Sequence, residues 1–190
     1  MLSKYRLWCL LCMLVFIVSC AGSSGYMRSS QTLLNPIQDK ALVRFMRPSG
    51  FGCAINFNML DGEKVIGNSV AKSQFDYLAD PGKHLFVATA ENKAFLEAEL
   101  EAGKTYYVIT RVYIGAWTAR VAFLPVNKGS EFWDKVLKYE NTLQKLQPDI
   151  NALKTWEDAN KAKIQKVLSA YETEWKDKYS WPKLMPEDGR

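Results

Sequence analysis

Histidine is almost missing from these 190 residues: His84 is the only one, set against 25 Lys and Arg and 20 Asp and Glu. A Ser/His/Asp or Cys/His catalytic arrangement would have to pass through it, and no Gly-x-Ser-x-Gly elbow accompanies it. A structural zinc site draws on about four Cys, His or carboxylate ligands, and one His with few cysteines falls short. The chain also lacks a phosphate-cradling loop, a Gly-rich dinucleotide turn and a metal-binding histidine pair. Lys and Arg are spread thinly among the acids, so no basic cluster marks a nucleic-acid surface. These gaps leave a protein expected to use no metal, no cofactor and no catalytic centre. His84, directly after a turn and at the start of a strand, is expected to be hydrogen-bonded and structural.

Long apolar runs are scarce too. One exists, Leu7 to Val18, behind Lys4 and Arg6. As a helix it spans roughly 18 Å, well short of a hydrocarbon core of about 30 Å. A cleaved signal over residues 1–19 fits it better than a membrane span. Next come Ile17-Val18-Ser19-Cys20, and this tetrapeptide resembles the bacterial lipobox: branched aliphatic, tolerated residue, small residue, cysteine. The resemblance implies cleavage between Ser19 and Cys20 and a diacylglycerol thioether on Cys20, a role suited to a thiol because it is a far better nucleophile than a hydroxyl. Two or three acyl chains give durable attachment at about 0.8 kcal/mol per buried methylene. In a Gram-negative cell Ala21, in place of an inner-membrane-retaining Asp, points to the outer membrane, periplasm-facing. Cys9 and Cys12 leave with the signal and lipid consumes Cys20, so Cys53 alone remains. It is expected to be a buried apolar thiol, with no intramolecular disulfide in the mature chain.

Removing residues 1–19 takes away Lys4 and Arg6 and lowers the net charge from +5 to +3. Residues 20–40, small and polar, read as the lipidated N-terminus and a flexible tether with a reach of about 25 Å. From Ala41 to 127 short β-periodic segments recur about every ten residues: 41–47, 53–60, 63–67, 74–79, 84–91, 94–100, 105–114 and 117–126. Asp61-Gly62 marks a hairpin, and Asp80-Pro81-Gly82-Lys83 a turn with proline fixing φ and glycine supplying positive φ. The fold class expected is α+β: an antiparallel β-sandwich of seven or eight strands, then a C-terminal helical arm.

The arm occupies 130–179. Ser130 is a candidate N-cap, and Phe132, Val136, Tyr139, Leu143 and Leu146 keep a 4-3-4-3 rhythm. Pro148 suits the first position of a new helix, so two helices are predicted, 131–146 and 148–178, with a loop tail at 180–190. A thirty-residue helix of about 45 Å exceeds an eight-residue strand of about 27 Å. It must overhang the sheet, fold back or meet another chain. Of the aromatics, Tyr106, Tyr107, Tyr113, Trp117, Trp133 and Trp181 are expected mostly in the core. Trp156, Tyr171 and Trp175, on the long helix, are the candidate surface for a protein partner. Glu97, Glu99 and Glu101 alternate with apolar residues and read as a solvated strand face.

Several residues carry a second resemblance: Val43-Arg44-Phe45, Val65-Ile66-Gly67, Phe75 to Tyr77, Pro81-Gly82-Lys83-His84, and Ala102-Gly103-Lys104-Thr105-Tyr106-Tyr107-Val108. Their order is similar to that of short bacterial lipoprotein domains of unknown function and of PEGA-like surface modules, small Ig-like β-sandwiches. It covers less than half the chain and implies a non-enzymatic sandwich with no catalytic residues. The expected function is a membrane-anchored, non-catalytic interaction or structural module of the cell envelope. A small-ligand or glycan carrier, with a closed apolar site between sheet and helices, is the alternative, and a hydrolase using His84 the remote one.

Overall fold

The computed structural model describes residues 24–89, 92–115 and 119–190. The signal at 1–19, Ser19, Cys20 and Trp117 lie outside the described residues.

Eight strands occupy the β-periodic region: β2 (Ala41–Arg47), β3 (Phe57–Asp61), β4 (Lys64–Ser69), β5 (Ser73–Ala79), β6 (Gly82–Thr89), β7 (Lys93–Leu100), β8 (Thr105–Ile114) and β9 (Ala119–Pro125). Three further strands come from the flanks: β1 (Met27–Ser29), β10 (Gln144–Pro148) and β11 (Lys183–Leu184). The helices are α1 (Lys135–Thr142) and α2 (Ile150–Ala170), the latter continuing as a π-helical turn, Tyr171–Trp175. The strands form two sheets, ordered β1-β10-β5-β2-β8-β9 and β11-β7-β6-β3-β4.

The sheets face one another over an apolar layer that includes Val43, Phe45, Phe57, Phe75, Phe86, Leu96 and Val108. Phe45 anchors it, stacked on Phe75 at 5.2 Å and edge-on to Phe86 at 5.3 Å. Strand alternation sends the remaining side chains to the outer faces, and those faces are covered as well. On the six-stranded sheet, Met46, Tyr107, Ile109 and Val126 pack against Val136 of α1, with Phe132, Trp133, Tyr139 and Leu143 around them. On the five-stranded sheet, Leu60, Val65, Val87 and Phe95 pack against Leu153, Ile164, Val167 and Tyr171. The result is helix, sheet, sheet, helix. Every residue of β2 is buried for this reason, since a central strand covered on both sides has no solvent face.

Two glycines set the tight connections. Gly62 (φ +55°) closes the β3–β4 hairpin, and Gly82 (φ +120°) follows Pro81 where β6 begins; both backbone conformations disfavour a Cβ.

Several expectations change. The sandwich is not purely antiparallel: β2–β8, β5–β10 and β7–β11 are parallel pairs. The stretch 20–40 is not all tether, because Met27–Ser29 pairs with β10. The predicted helix 131–146 shrinks to α1; Ser130 is not its cap, and Asp134 holds that position without a side-chain cap bond. Leu146, read as the end of that helix, lies in β10 with its side chain in the inter-sheet core. Pro148 ends β10, and Asp149 caps α2 by accepting from the Ala152 N–H. The 180–190 tail is structured: Leu184 is fully buried, and the Asp188 carboxylate accepts from the Asn127 side chain and the Lys128 N–H. Cys53 is half-buried in a turn and disulfide-bonded, against the expectation of a buried free thiol and no disulfide; the other cysteines, Cys9, Cys12 and Cys20, lie outside the described residues.

The sheet edges are closed locally. On edge strand β4, the Val65 N–H donates to Glu157 of α2 at 2.7 Å and the Asn68 N–H to the Met27 sulfur at 3.2 Å. Such contacts remove the unpaired donors that invite intermolecular pairing.

Candidate functional site

A groove of about 490 Å³ opens where the outer face of β6 and β7 meets the end of α2 and strand β11. Lys83, Glu97, Glu99, Glu172, Lys176 and Lys183 give it three cations and three anions, with Tyr171 and Met185 among the other walls. Strand alternation places these charges: Lys83 faces Glu99 across the β6–β7 pair, and Glu97 lies on the same side of β7 as Phe95 and Glu99.

Glu97 is the hub. Its carboxylate accepts from the Tyr171 hydroxyl at 2.6 Å and from the Lys183 ammonium at 2.8 Å. Lys183, with help from Tyr171, holds the Glu97 carboxyl below its usual range. Burial, reinforced by the neighbouring carboxylate, pushes the Tyr171 phenol upward, so it stays a donor. Lys176 pairs with Glu172 at 2.9 Å one turn away. The groove therefore presents balanced charge, two of its three cations held in ion pairs, suited to a polar or zwitterionic surface more than to an apolar ligand. Glu97 is not part of a freely solvated strand face, since it joins the strand to the helix end.

The three candidate partner residues are together but turned inward. Tyr171 is 2 % exposed. It meets the Phe95 ring at 4.8 Å, while Trp175 and Trp181 lie 5.6 and 4.9 Å from the same ring. Trp156 packs half-buried on the same cluster. The aromatic stripe fastens α2 to its own sheet, so the partner surface expected at Trp156, Tyr171 and Trp175 is largely used internally. The helix lies flat and does not project.

His84 sits at the groove rim. Its Nδ1 lies 2.8 Å from Asp61 Oδ2 and its Nε2 2.8 Å from the Asp80 carbonyl oxygen. The ring stacks on Phe86 at 5.7 Å, and Tyr77 donates to the same Asp61 carboxylate at 2.9 Å. The Asp61 hydrogen bond outweighs burial and raises the His84 pKa. With acceptors at both nitrogens the imidazolium is the favoured form, and it ties the β3–β4 hairpin to the β5–β6 turn. A general base needs a free nitrogen facing its substrate, and here Nε2 faces a backbone carbonyl.

Two polar networks escaped the sequence reading. Arg44 donates to both oxygens of Asp76, at 2.6 and 3.0 Å, to the Leu34 carbonyl at 3.0 Å and to Glu140 of α1. Tyr107 donates to Glu140 at 2.8 Å, and burial pushes its pKa up to about 12. Arg47, 1 % exposed, has no carboxylate partner among the described residues. It donates to the carbonyls of Phe51, Gly52, Ile55 and Ser69, and desolvation lowers its pKa to about 10. The only advance signal was two arginines, three positions apart, in an otherwise apolar strand.

Among the described residues no group of three or more His, Cys, Asp and Glu could hold a metal ion, and no helix is long and apolar enough to cross a membrane. No protein-family model, curated protein or solved structure matches the chain.

Proposed function

We propose that this chain is an envelope lipoprotein: lipid on Cys20 holds a non-catalytic interaction or structural module at the outer membrane, facing the periplasm. The β2–β9 sandwich is the module, of Ig-like, PEGA-like kind, and its partner is a protein of the envelope. The observation that carries this reading is the span of α2. The helix starts beside the chain entry, where the Asp149 N–H donates to the Tyr26 carbonyl at 2.9 Å. It ends at the charged groove, and its 21 residues are about 31 Å long. In this reading the rigid helix separates the anchor side from the charged groove and holds the groove away from the bilayer.

A second reading keeps support from the groove's position. A carrier for a small polar ligand or a glycan would have its site between sheet and helix, where the groove lies. The charged lining argues for polar cargo in place of the closed apolar pocket first expected.

Metabolic labelling with palmitate tests the anchor: the wild-type chain takes up label and Cys20→Ser does not. A Cys20→Ser protein processed and retained like wild type removes the proposal, and so does an intramolecular Cys53 disulfide in the mature protein, because cleavage takes Cys9 and Cys12 and lipid takes Cys20. Reversing the groove charges (Lys83→Glu with Lys176→Glu) tests the module. Loss of partner crosslinking with normal membrane retention supports an interaction surface, and crosslinking unchanged by the reversal refutes it.

A further inference from the structure

Two exposed apolar features lie at opposite corners of the six-stranded sheet. One is at the chain entry: Ile150, the first residue of α2, is 69 % exposed. It follows Asp149, which is bonded through its backbone to Tyr26 and through its carboxylate to Arg28 at 2.6 Å. Lys154 lies one turn further on the same helical face, also exposed. The other feature is the tip of the β8–β9 hairpin, where Tyr113 and Ile114 are 46 % and 76 % exposed beside Phe51 at 48 %. Gly52 holds that loop there, lying against Val112.

The register measures the separation. Ser29, Leu146, Phe75, Phe45 and Val108 form one row across five adjacent strands. Strands β1, β2 and β8 run the same way. Met27 is therefore two residues below the row and Ile114 six above it. Eight residues along the strands give about 26 Å and four strand spacings about 19 Å, so the corners are about 33 Å apart.

Resting on the reading that Cys20 carries lipid, we infer that the Tyr26–Arg28 and Ile150–Lys154 corner lies against the bilayer, with Ile150 in the lipid interface. The Arg28 guanidinium and Lys154 ammonium then face the phosphates. Linker length selects this corner. Ser24 is held in the entry turn, accepting from the Met27 N–H at 3.3 Å and the Tyr26 N–H at 3.2 Å, so four residue steps, about 14 Å at full extension, join it to Cys20. With the entry corner down, that length suffices and Ile150 meets the surface. With the hairpin tip down, Met27 stands about 26 Å above the surface, farther than those four steps can span. Arg28, its side chain 68 % exposed, keeps N–H donors for a phosphate beyond those given to Asp149. The hairpin tip is left pointing into the aqueous space.

The test uses the full-length, acylated protein in vesicles of phosphatidylethanolamine and phosphatidylglycerol. An environment-sensitive fluorescent amino acid is placed at position 150 or, in a separate protein, at 114, and shallow nitroxide lipids serve as quencher. Both positions are exposed, so neither label disturbs the core. The expected result is a blue-shifted label at 150, quenched several-fold more than the label at 114. Flotation with the vesicles reports the anchor separately. Flotation with stronger quenching at 114, or with none at 150, overturns the orientation while the lipid anchor stands. Failure to float overturns the anchor and the orientation together.

Discussion

Replacing Phe95 with alanine is the sharpest probe of how α2 is attached. Phe95 is 1 % exposed, and its ring is the common neighbour of Tyr171, Trp175 and Trp181 at 4.8, 5.6 and 4.9 Å. Truncating a buried Phe costs about 3–5 kcal/mol, made up of lost transfer energy and an unfilled cavity. The aromatic pairs add about 0.5–1.5 kcal/mol beyond burial, but one substitution breaks all three, so the terms do not simply sum. The expected loss is about 4 kcal/mol by urea unfolding followed by tryptophan fluorescence, with Tm lower by roughly 8–16 °C for a domain of this size. Unfolding should stay a single transition, because helix and sheet share the cluster. A loss below about 1 kcal/mol, or an early separate transition for the helix, would refute the claim that the arm is integral to the sandwich.

His84→Gln tests the hairpin tie by its pH dependence. The His84 pKa is raised in the folded state, so its stabilisation is complete below the unfolded value of about 6.5 and fades as pH climbs through the folded one. Wild type minus variant stability, measured by urea unfolding, should shrink with rising pH, and a difference that grows instead contradicts the geometry. Gly67→Ala would place a Cβ 2.7 Å from Phe75 Cε2; overpacking of that kind costs about 1–3 kcal/mol, read as a lower urea midpoint at constant m. Tyr171→Phe removes only the hydroxyl bonded to Glu97 at 2.6 Å. A hydrogen bond to a charged group is worth about 1.5–3 kcal/mol when buried. Glu97 is 29 % exposed, so a loss of about 1 kcal/mol is expected in the same assay, and no change would deny Glu97 its joining role.

The local parts of this fold were legible and the non-local parts were not. The strands from Ala41 to Pro125 announce themselves by short period and punctuation, and Asp61-Gly62 and Pro81-Gly82 fall where the chain turns. Strand β10 defeats the same reasoning. Gln144-Lys145-Leu146-Gln147 continues a helical spacing of apolar residues, yet it is captured as a strand by the open edge of β5 seventy residues away. Strands β1 and β11, of three and two residues, are too short for any period to register. At the site, tryptophans on a long helix read equally well as a partner surface or as the glue to a sheet. Only the position of Phe95 on the facing strand decides between them. The groove draws its charges from β6, β7, the turn that follows α2 and β11, so no window of sequence contains it.

The boundary near residue 130 looks like the end of a domain in composition, and the packing says it is not one. Cutting after Gly129 would strip α2 from Leu60, Val65, Val87 and Phe95, and α1 from Met46, Tyr107 and Ile109. At about 1.5–3 kcal/mol for each re-exposed large side chain, the four residues under α2 alone account for roughly 6–12 kcal/mol. A whole domain has only about 5–15 kcal/mol of net stability. The cut also removes β10 from the edge of β5 and β11 from the edge of β7, leaving open strands, and takes Glu140 away from the buried Arg44. A chain of residues 24–129 should therefore fail to fold cooperatively, showing dye-binding apolar surface and aggregation instead of a sigmoidal melt. A soluble fragment with dispersed amide resonances would mean that the sandwich stands alone and that the helices decorate it.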